Sequence, residues 1–464
     1  MSTIYDVVVL GAGPGGYVCG IRCGQLKLKT LVVEKESLGG VCLNVGCIPS
    51  KALIHGSKVY HKAQNGAHLG ISGALSVDMK KMVGWKDGIV SKLTGGVGHL
   101  LKANGVEHVY ATGKIAGAGQ VQLTKADGTT ETVTTRNIVI ATGSTPVQIP
   151  FMPWGDDIVN STGALDFTEV PKSLAVVGGG VIGMELSGVY ARLGSKVTVI
   201  EAAKQLLSMF DKDVVTPLQR KQKKIGVTHL IDTKVTGAEM LKGGGVKLSY
   251  EGKKSGSIEV DKVLVSVGRR PNSRDIGLES IGVRVDERGF ITVDKTLKTS
   301  APGVYAIGDV AGNPMLAHKA SKDGEVAAEV IAGHHAEQDA LIPNVVYTDP
   351  EIATVGPSLK ELKETGMKLK IGKFPLAALG RAMTADATDG FARVVGDAET
   401  GDVLAIHLVG AEASELVNEA ALTMEMAAVL DDVSLTVHAH PTMSEALMEA
   451  AKAALGEAIH AVNR

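Results

Sequence analysis

Two cysteines near the N-terminus have the spacing of a redox pair. Cys42 and Cys47 are separated by four residues, so their sulfurs can meet within one turn and separate again with little backbone movement. A bond across so short a loop removes little unfolded-state entropy and would stabilise the fold only weakly. Because the pair follows a dinucleotide-binding signature that ends at Glu34, we interpret it as a centre that exchanges electrons with a bound cofactor.

That dinucleotide-binding signature occurs twice in the chain. In each copy an apolar strand precedes the pattern G-x-G-x-x-G, a helix-length segment follows, and a second apolar strand ends in a glutamate. The first glycine stands 23 residues before the glutamate in both copies, from 11 to 34 and from 178 to 201. The motif glycines are Gly11, Gly13 and Gly16 in the first copy and Gly178, Gly180 and Gly183 in the second.

Each part of the signature has a physical role in holding a dinucleotide. The first glycine makes the tight turn, the second lets the backbone approach a pyrophosphate, and the third lets the helix pack close to the strand. The N-terminus of the helix faces the phosphate charge. A glutamate accepts hydrogen bonds from a ribose 2′-hydroxyl and repels a 2′-phosphate, so Glu201 predicts a preference for NAD over NADP. One such motif is weak evidence, whereas two complete copies in register are strong.

Composition excludes several other classes of protein. The chain has 464 residues, which predicts about three domains, and its net charge of −2 comes with no basic stripe, so nucleic-acid binding is disfavoured. No apolar run approaches the roughly 20 residues of a membrane span, and the N-terminus has neither a secretory leader nor a presequence. All four cysteines precede residue 48, which favours a reducing compartment over a disulfide-stapled fold. The histidines lack metal-ligand spacing, so no metal is expected.

Six motifs in order resemble those of one enzyme family, over essentially the whole chain. They are the first nucleotide motif, the Cys42–Cys47 loop, Ala141-Thr142-Gly143, the second nucleotide motif with Glu185, Tyr305-Ala306-Ile307-Gly308-Asp309, and the run from His438 to Glu445. The chain therefore resembles the class I pyridine nucleotide-disulfide oxidoreductases, the disulfide-reducing flavoproteins, and within them the dihydrolipoamide dehydrogenases.

The resemblance implies an α/β fold with two Rossmann-like dinucleotide-binding domains plus a C-terminal α+β dimerisation domain. The implied division is 1–147 for the FAD domain, 148–272 for the NAD domain, 273–342 for a central domain that completes the FAD site, and 343–464 for the interface domain. The resemblance assigns to the FAD site, besides the first-motif glycines, Glu34, Lys51, Gly113, Thr142, Gly143, Ser144, Asp309, Met315, Leu316, Ala317 and His318. It assigns to the NAD site, besides the second-motif glycines, Glu185, Glu201 and Gly268.

The resemblance also implies a mechanism. His440, held by Glu445, takes a proton from a dihydrolipoyl thiol, and the resulting thiolate attacks Cys42 and releases Cys47. Cys47 passes electrons to FAD, beside which Lys51 and Glu185 form an ion pair, and NAD⁺ is reduced to NADH. In the family this histidine reaches the site of a partner subunit, which predicts a homodimer with shared active sites. The substrate is then a lipoyl group on an acyltransferase of a 2-oxoacid dehydrogenase complex or on the glycine-cleavage carrier.

Several alternatives stay open at this point. The enzyme could be a related NAD(P)H-dependent reductase of another low-molecular-weight disulfide, and a non-catalytic docking subunit is disfavoured by the intact reacting residues. Val41 and Asp349 depart from the threonine and histidine usual in the family. Cys19 and Cys23 are expected in the core, and His438 is expected to be structural. A bacterial cytoplasm is the expected location, with the mitochondrial matrix as the alternative.

Overall fold

The first domain is built on a mixed sheet whose central strands are parallel and buried. The computed structural model describes residues 4–463. The first six strands of the chain are β1 (Ile4–Leu10), β2 (Thr30–Glu34), β3 (Glu107–Tyr110), β4 (Thr112–Gly117), β5 (Gln120–Thr124) and β6 (Thr130–Ile140). The neighbours run in the order β3-β2-β1-β6-β5-β4; β6 is parallel to β1 and antiparallel to β5. Three successive valines of β1 are fully buried, as expected for a parallel strand covered on both faces.

Four helices complete this part of the chain. They are α1 (Pro14–Gln25), α2 (Gly40–Val45), α3 (Cys47–Gln64) and α4 (Met79–Ala103). Helix α1 begins within the first glycine motif, directly after Gly13, with Pro14 in its first turn, where the missing N–H costs nothing. Gly46 separates α2 from α3, so Cys42 lies in one helix and Cys47 begins the next.

The second domain repeats this plan. Its elements are β7 (Ser144–Pro146), β8 (Ile158–Val159), α5 (Ser161–Ala164), β9 (Ser173–Val177), α6 (Val181–Arg192), β10 (Lys196–Glu201), α7 (Lys212–Lys224), β11 (Thr228–Ile231), β12 (Thr233–Met240), β13 (Val246–Gly252), β14 (Gly256–Val260), β15 (Lys262–Val265) and β16 (Arg269–Pro271). A parallel sheet has the order β11-β10-β9-β15-β8, and β12, β13 and β14 form an antiparallel sheet beside it. Strands β7 and β16 pair antiparallel where the chain passes between the two domains.

The chain then returns to the first sheet. The returning elements are β17 (Val304–Ala306) and α8 (Ala317–Ile331). Strand β17 pairs in parallel with β6, and α8 packs on α1. The two helices approach so closely that a Cβ at Gly324 would lie 2.5 Å from the Gly15 carbonyl oxygen, so only glycine fits there. The segment 273–342 therefore contributes a strand and a covering helix to the first domain.

The C-terminal domain is an antiparallel sheet covered by helices. Its elements are β18 (Asn344–Val346), β19 (Glu351–Val355), α9 (Leu359–Glu364), β20 (Leu369–Pro375), α10 (Gly380–Thr384), β21 (Phe391–Asp397), β22 (Val403–Gly410), α11 (Ala413–Glu425), α12 (Leu430–Leu435) and α13 (Glu445–Leu455). The strand order is β18-β19-β22-β21-β20. These three units confirm the predicted fold class. Within residues 4–463, no helix is both long and apolar enough to cross a membrane.

Candidate active site

The glycines of the first nucleotide loop have the backbone geometry that the motif predicts. Gly11 has a φ of 104°, and a Cβ there would lie 2.3 Å from the Ala141 carbonyl oxygen. A Cβ at Gly16 would lie 1.9 Å from the Gly11 carbonyl oxygen, so helix and strand meet backbone to backbone. A Cβ at Gly13 would meet nothing within 4 Å. The space beside Gly13 is where a pyrophosphate can approach the loop.

The second loop has the same geometry. Gly178 has a φ of 107°, and its Cβ would lie 2.5 Å from the Ser266 carbonyl oxygen. A Cβ at Gly183 would lie 2.1 Å from the Gly178 carbonyl oxygen, while the space around Gly180 is again open to 4 Å. Neither α1 nor α6 has an acidic residue in its first turn, so both helix N-termini can face phosphate charge.

The glutamate at the end of each second strand folds back onto its glycine loop. Glu34 accepts a 2.7 Å hydrogen bond from the Ala12 N–H, and Glu201 accepts one of 2.5 Å from the Gly179 N–H. The other oxygen of each accepts from the backbone N–H two residues further on, at 2.8 Å and 2.6 Å. A carboxylate has about four acceptor positions, so each glutamate keeps capacity for ribose hydroxyls. Both sites therefore fit a dinucleotide.

The ends of β6 and β17 place further predicted residues beside the first site. Gly143 has a φ of 69° and open space around it, and Thr142 donates a 2.7 Å hydrogen bond to the Asn272 carbonyl. The Ser144 hydroxyl donates to Asp309 at 2.5 Å, which orients that carboxylate. Arg269 donates to the Ser144 hydroxyl at 2.7 Å, a contact that motif spacing did not predict.

Two of the residues assigned to the FAD site have other contacts. A Cβ at Gly113 would lie 2.6 Å from Leu10 Cδ2, so this glycine lets β4 pack against β1. His318, in the first turn of α8, bonds through Nε2 to the Pro343 carbonyl at 2.8 Å. Met315, Leu316 and Ala317 lead into the same turn.

Gly268, which was assigned to the NAD site, follows β15 as Gly143 follows β6. Gly268 has a φ of 130°, and like Gly143 it has open space around it.

The loop that carries the cysteines is attached to the first nucleotide loop. The Gly39 N–H donates a 2.8 Å hydrogen bond to the Ala12 carbonyl, and a Cβ at Gly40 would lie 2.6 Å from Gly13 Cα. A Cβ at Gly46 would lie 2.8 Å from the Val41 carbonyl oxygen. Since glycines let the backbones approach at all three points, the redox pair lies directly beside the open space of the cofactor site.

The two thiols have different acidities. Cys42 and Cys47 are both half-buried free thiols. The pKa of Cys47 is lowered to about 7, chiefly because the Cys42 thiol donates a hydrogen bond to it, with a further contribution from the Lys51 cation. The pKa of Cys42 is raised by that same hydrogen bond and by burial. In the reduced pair the negative charge therefore belongs on Cys47, and Cys42 keeps the proton.

An ion pair joins all three domains beside Cys47. Lys51 Nζ lies 3.0 Å from Glu185 Oε2 and 4.4 Å from the centroid of the Tyr347 ring. The other oxygen of Glu185 accepts from the Tyr347 N–H at 2.9 Å, so the buried carboxylate is satisfied on both sides. Burial alone would lower the pKa of Lys51, but Glu185 and Cys47 outweigh it and raise that pKa. A permanent cation therefore stands next to the redox pair.

Two histidines of the C-terminal loop have opposite environments. His440 is 76% exposed and bonds through Nδ1 to Glu445 at 2.9 Å. The Thr442 N–H donates to the other oxygen of Glu445, and these hydrogen bonds hold the pKa of Glu445 below its usual range although burial opposes them. The His438 side chain is 5% exposed and bonds to Glu419 at 2.7 Å. Packing thus encloses the His438 ring within its own domain and leaves the His440 ring exposed to solvent.

Within the described part of one chain, His440 makes no bond to the cysteines. Among the hydrogen bonds and ion pairs of residues 4–463, none joins His440 to Cys42 or Cys47. Before it, the last residue of α12, Leu435, is 78% exposed, and Val437 in the following loop is 93% exposed. Apolar side chains so exposed are typical of a surface that contacts another protein.

The remaining sequence predictions concern packing. Cys19 and Cys23 are fully buried on the face of α1 that packs in the core, which confirms their expected role. Val41 is exposed at the start of the redox loop. Asp349 lies near the buried Arg192, whose pKa is lowered to about 10 by burial while Asp349 opposes that change.

A polarised dithiol on one dinucleotide domain, coupled by an ion pair to a second, defines a disulfide oxidoreductase with two nucleotide sites. Comparison with known proteins agrees. The model of the family described as pyridine nucleotide-disulphide oxidoreductase matches residues 5–324, and the model of its dimerisation domain matches residues 342–451. The chain belongs to the pyridine nucleotide-disulphide oxidoreductase family.

Individual relatives cover the whole chain. Proteins called dihydrolipoyl dehydrogenase are 47% identical in Thermus scotoductus, over 99% of both chains, and 45% identical in Geobacillus stearothermophilus, over 99% of this chain and 98% of the relative. The crystal structure of LpdA from Mycobacterium tuberculosis is similar with a TM-score of 0.90 and 26% identity, over 97% of this chain and 99% of that one. These findings confirm the predicted family, the predicted enzyme class, FAD and NAD as cofactors, and a C-terminal dimerisation domain.

Proposed function

We propose that this enzyme oxidises dihydrolipoyl groups carried on a partner protein and reduces NAD⁺ to NADH. The observation that carries the proposal is the polarised Cys42–Cys47 pair, which lies on the first nucleotide loop and beside the Lys51–Glu185 ion pair. Relatives called dihydrolipoyl dehydrogenase, 42–47% identical over nearly the full length, support the choice of substrate.

The first step is a proton transfer to His440. A substrate thiol is a weak nucleophile until it is deprotonated, and an imidazole can accept a proton near neutral pH. Glu445, bonded to Nδ1, orients the ring and stabilises the imidazolium that forms. This leaves Nε2 as the atom that takes the proton.

The second step is thiol–disulfide exchange at Cys42. The substrate thiolate attacks the Cys42 sulfur of the oxidised pair, a mixed disulfide forms, and Cys47 leaves as a thiolate. Its lowered pKa makes Cys47 the better leaving group. The second substrate thiol then attacks the mixed disulfide, so the substrate departs as a cyclic disulfide. His440 gives its first proton to the departing Cys42 sulfur and takes the proton of the second substrate thiol. The reduced enzyme then has Cys42 as a thiol, Cys47 as a thiolate and His440 as an imidazolium. One substrate dithiol has been oxidised and one enzyme disulfide reduced.

Reoxidation of the enzyme needs the two nucleotides. FAD, held by the first glycine motif and Glu34, would supply an acceptor for the electron pair of the dithiol and a hydride donor to NAD⁺. The disulfide would be restored, and the proton held on His440 would be released. The residues of this chain hold the charges that this step requires. Lys51 stabilises the Cys47 thiolate, and Glu185 keeps Lys51 in place from the NAD-binding domain. Glu201 favours NAD, because a 2′-phosphate would meet its carboxylate.

The functional unit is a homodimer with shared active sites. His440 is exposed and makes no bond to the cysteines of its own chain within the described residues, and a family dimerisation domain covers the region around it. The second copy supplies the histidine that faces each cysteine pair. The lipoyl carrier is an acyltransferase core of a 2-oxoacid dehydrogenase complex or a glycine-cleavage carrier protein. A bacterial cytoplasm, which keeps thiols reduced, suits this chemistry, with the mitochondrial matrix as the alternative.

The test is an anaerobic assay of the purified holoenzyme. Free dihydrolipoamide should reduce the bound flavin within the turnover time, and NAD⁺ should then be reduced in a one-to-one ratio to the thiol pairs consumed. NADP⁺ should be a poor acceptor. A flavin-containing enzyme that dihydrolipoamide does not reduce, but that NADH and another low-molecular-weight disulfide turn over, would contradict the proposal and favour a related disulfide reductase.

A further inference from the structure

A buried charge cluster connects the second domain to the C-terminal domain. We call it the Arg393 latch, and it consists of Arg393, Asp211, Asp213 and His407. Arg393 on β21 is 2% exposed; its guanidinium bonds to both oxygens of Asp213 at 3.0 Å and to Asp211 at 2.6 Å. Its Nε donates to His407 Nδ1 at 3.0 Å. A fully buried cation with two carboxylates from another domain holds the two domains in a defined relation.

The latch holds Asp211 from more than one side. Besides Arg393, the backbone N–H groups of Leu359 and Lys360 donate to the Asp211 carboxylate at 2.9 Å and 3.3 Å. These donors also belong to the C-terminal domain. The side chain of Asp211 makes no capping bond to its own helix, α7. Asp211 therefore belongs to the second domain by sequence and to the C-terminal domain by its side-chain contacts.

Asp211 ends the loop that forms one side of the second nucleotide site. This loop, residues 202–211, begins directly after Glu201. The Leu207 N–H donates to the Gly179 carbonyl at 2.9 Å, and Leu206 packs so closely on Gly179 that a Cβ there would lie 2.5 Å from its Cδ2. One end of the loop thus contacts the nucleotide motif, and the other is anchored in the C-terminal domain.

We propose that Asp211, held by Arg393, positions the 202–211 loop for the adenosine half of NAD. Asp211 is a positioning residue, because it acts through Leu206 and Leu207 on the glycine loop. The C-terminal domain then sets the affinity of the nucleotide site in addition to forming the dimer. The inference rests on the proposed assignment of NAD to the second nucleotide motif.

The Arg393 latch can fix the position of the loop because breaking its buried ion pairs costs free energy. Removing one partner leaves a buried charge uncompensated, so the intact cluster strongly favours one arrangement. The His407 ring stays neutral, because burial and Arg393 lower its pKa to about 4. It can therefore accept from Arg393 while bonding the Pro357 carbonyl at 3.0 Å. Near neutral pH the His407 ring therefore adds no charge to the latch.

The experiment measures binding of ADP-ribose, which carries the adenosine and pyrophosphate of NAD and no nicotinamide. Calorimetric titration of the holoenzyme should show that Asp211→Ala binds ADP-ribose roughly 2- to 30-fold more weakly than the wild type, the usual size of coupling between connected regions. Reduction of the holoenzyme by dihydrolipoamide without NAD⁺ should be unchanged. The matched control is Lys221→Met, which removes a 3.0 Å ion pair to Asp389 between the same two domains and leaves the loop untouched.

Two results would overturn the inference: unchanged ADP-ribose affinity in Asp211→Ala, or equal weakening in Lys221→Met. If Asp211→Ala does not fold, Arg393→Lys serves instead, since a lysine keeps the charge but cannot bond both aspartates as the guanidinium does. Arg393→Lys should also weaken the binding of ADP-ribose, and unchanged binding would contradict the inference. A wild-type enzyme that binds ADP-ribose but is not reduced by dihydrolipoamide would disprove the proposed substrate alone.

Discussion

The Gly39 N–H donates a 2.8 Å hydrogen bond to the carbonyl of Ala12, and this contact attaches the redox loop to the first nucleotide loop. Helix α2, which carries Cys42, begins one residue later. The redox pair and the pyrophosphate-binding turn thus form one backbone unit. Opening and closing of the pair can then occur beside the cofactor without displacing the loop that binds it.

The acidity of Cys47 gives a pH-dependent prediction. Its pKa is lowered to about 7, so in the reduced enzyme the thiolate should be present above pH 7 and lost as the pH falls through that value. Ultraviolet thiolate absorbance during a pH titration measures this. Lys51→Met should move the midpoint upward by roughly 1 to 2 pH units, because an opposite charge at short range is removed.

The control for that titration is Lys58→Met. Lys58 lies on the same helix, α3, and pairs with Glu351 at 3.1 Å. Its removal should leave the midpoint near pH 7. A midpoint that stays there in Lys51→Met would show that Lys51 does not stabilise the thiolate.

His440→Gln should separate the two half-reactions. Oxidation of dihydrolipoamide should slow by roughly 10²- to 10⁴-fold, the usual contribution of a general base, because the substrate thiol is no longer deprotonated. Reduction of the flavin by NADH, which does not use the substrate base, should remain within about twofold. Stopped-flow absorbance of each half-reaction checks this.

His438→Gln is the matched control, since His438 lies two residues away and bonds to Glu419 instead. It should leave the rate of dihydrolipoamide oxidation nearly unchanged, with only a loss of thermal stability. Equal slowing of both half-reactions in His440→Gln would show that this histidine is structural.

Shared active sites predict complementation between inactive chains. A mixed dimer of Cys42→Ser and His440→Gln chains combines an intact cysteine pair from one chain with an intact histidine from the other. Randomly mixed subunits should then recover about a quarter of wild-type activity, although each pure variant is inactive. Activity measured after co-expression tests this. No recovery, with mixed dimers verified by mass, would place each histidine and cysteine pair in the same chain.

The second nucleotide loop offers a pair of glycine substitutions with opposite consequences. Gly178→Ala should lower the free energy of unfolding by roughly 2–4 kcal/mol, because its φ is 107° and its Cβ would lie 2.5 Å from the Ser266 carbonyl oxygen. Gly180→Ala should lower the free energy of unfolding by less than about 1 kcal/mol. It should still weaken NAD binding, since its Cβ would enter the open space beside the second nucleotide loop. Denaturant unfolding and calorimetric titration measure the two effects. Similar stability losses in both variants would contradict the assigned roles.

The sequence by itself determined the local parts of this enzyme. The two glycine motifs, the Cys42–Cys47 spacing and the glutamates at 34 and 201 are short-range patterns whose geometry follows from backbone sterics. The structure reproduces them almost identically in both copies, down to the open space at the second glycine. The fold class and the family were predictable for the same reason, because each motif specifies its own strand, turn and helix.

Only the tertiary structure decided which distant side chains meet. Lys51 and Glu185 are 134 positions apart, and Arg393 and Asp211 are 182 apart, so no local periodicity relates the members of either pair. The two histidines at 438 and 440 look alike in sequence, yet packing buries one and exposes the other. Long-range pairing and burial depend on how whole domains dock, because a charge is tolerated inside only where another element supplies its partner.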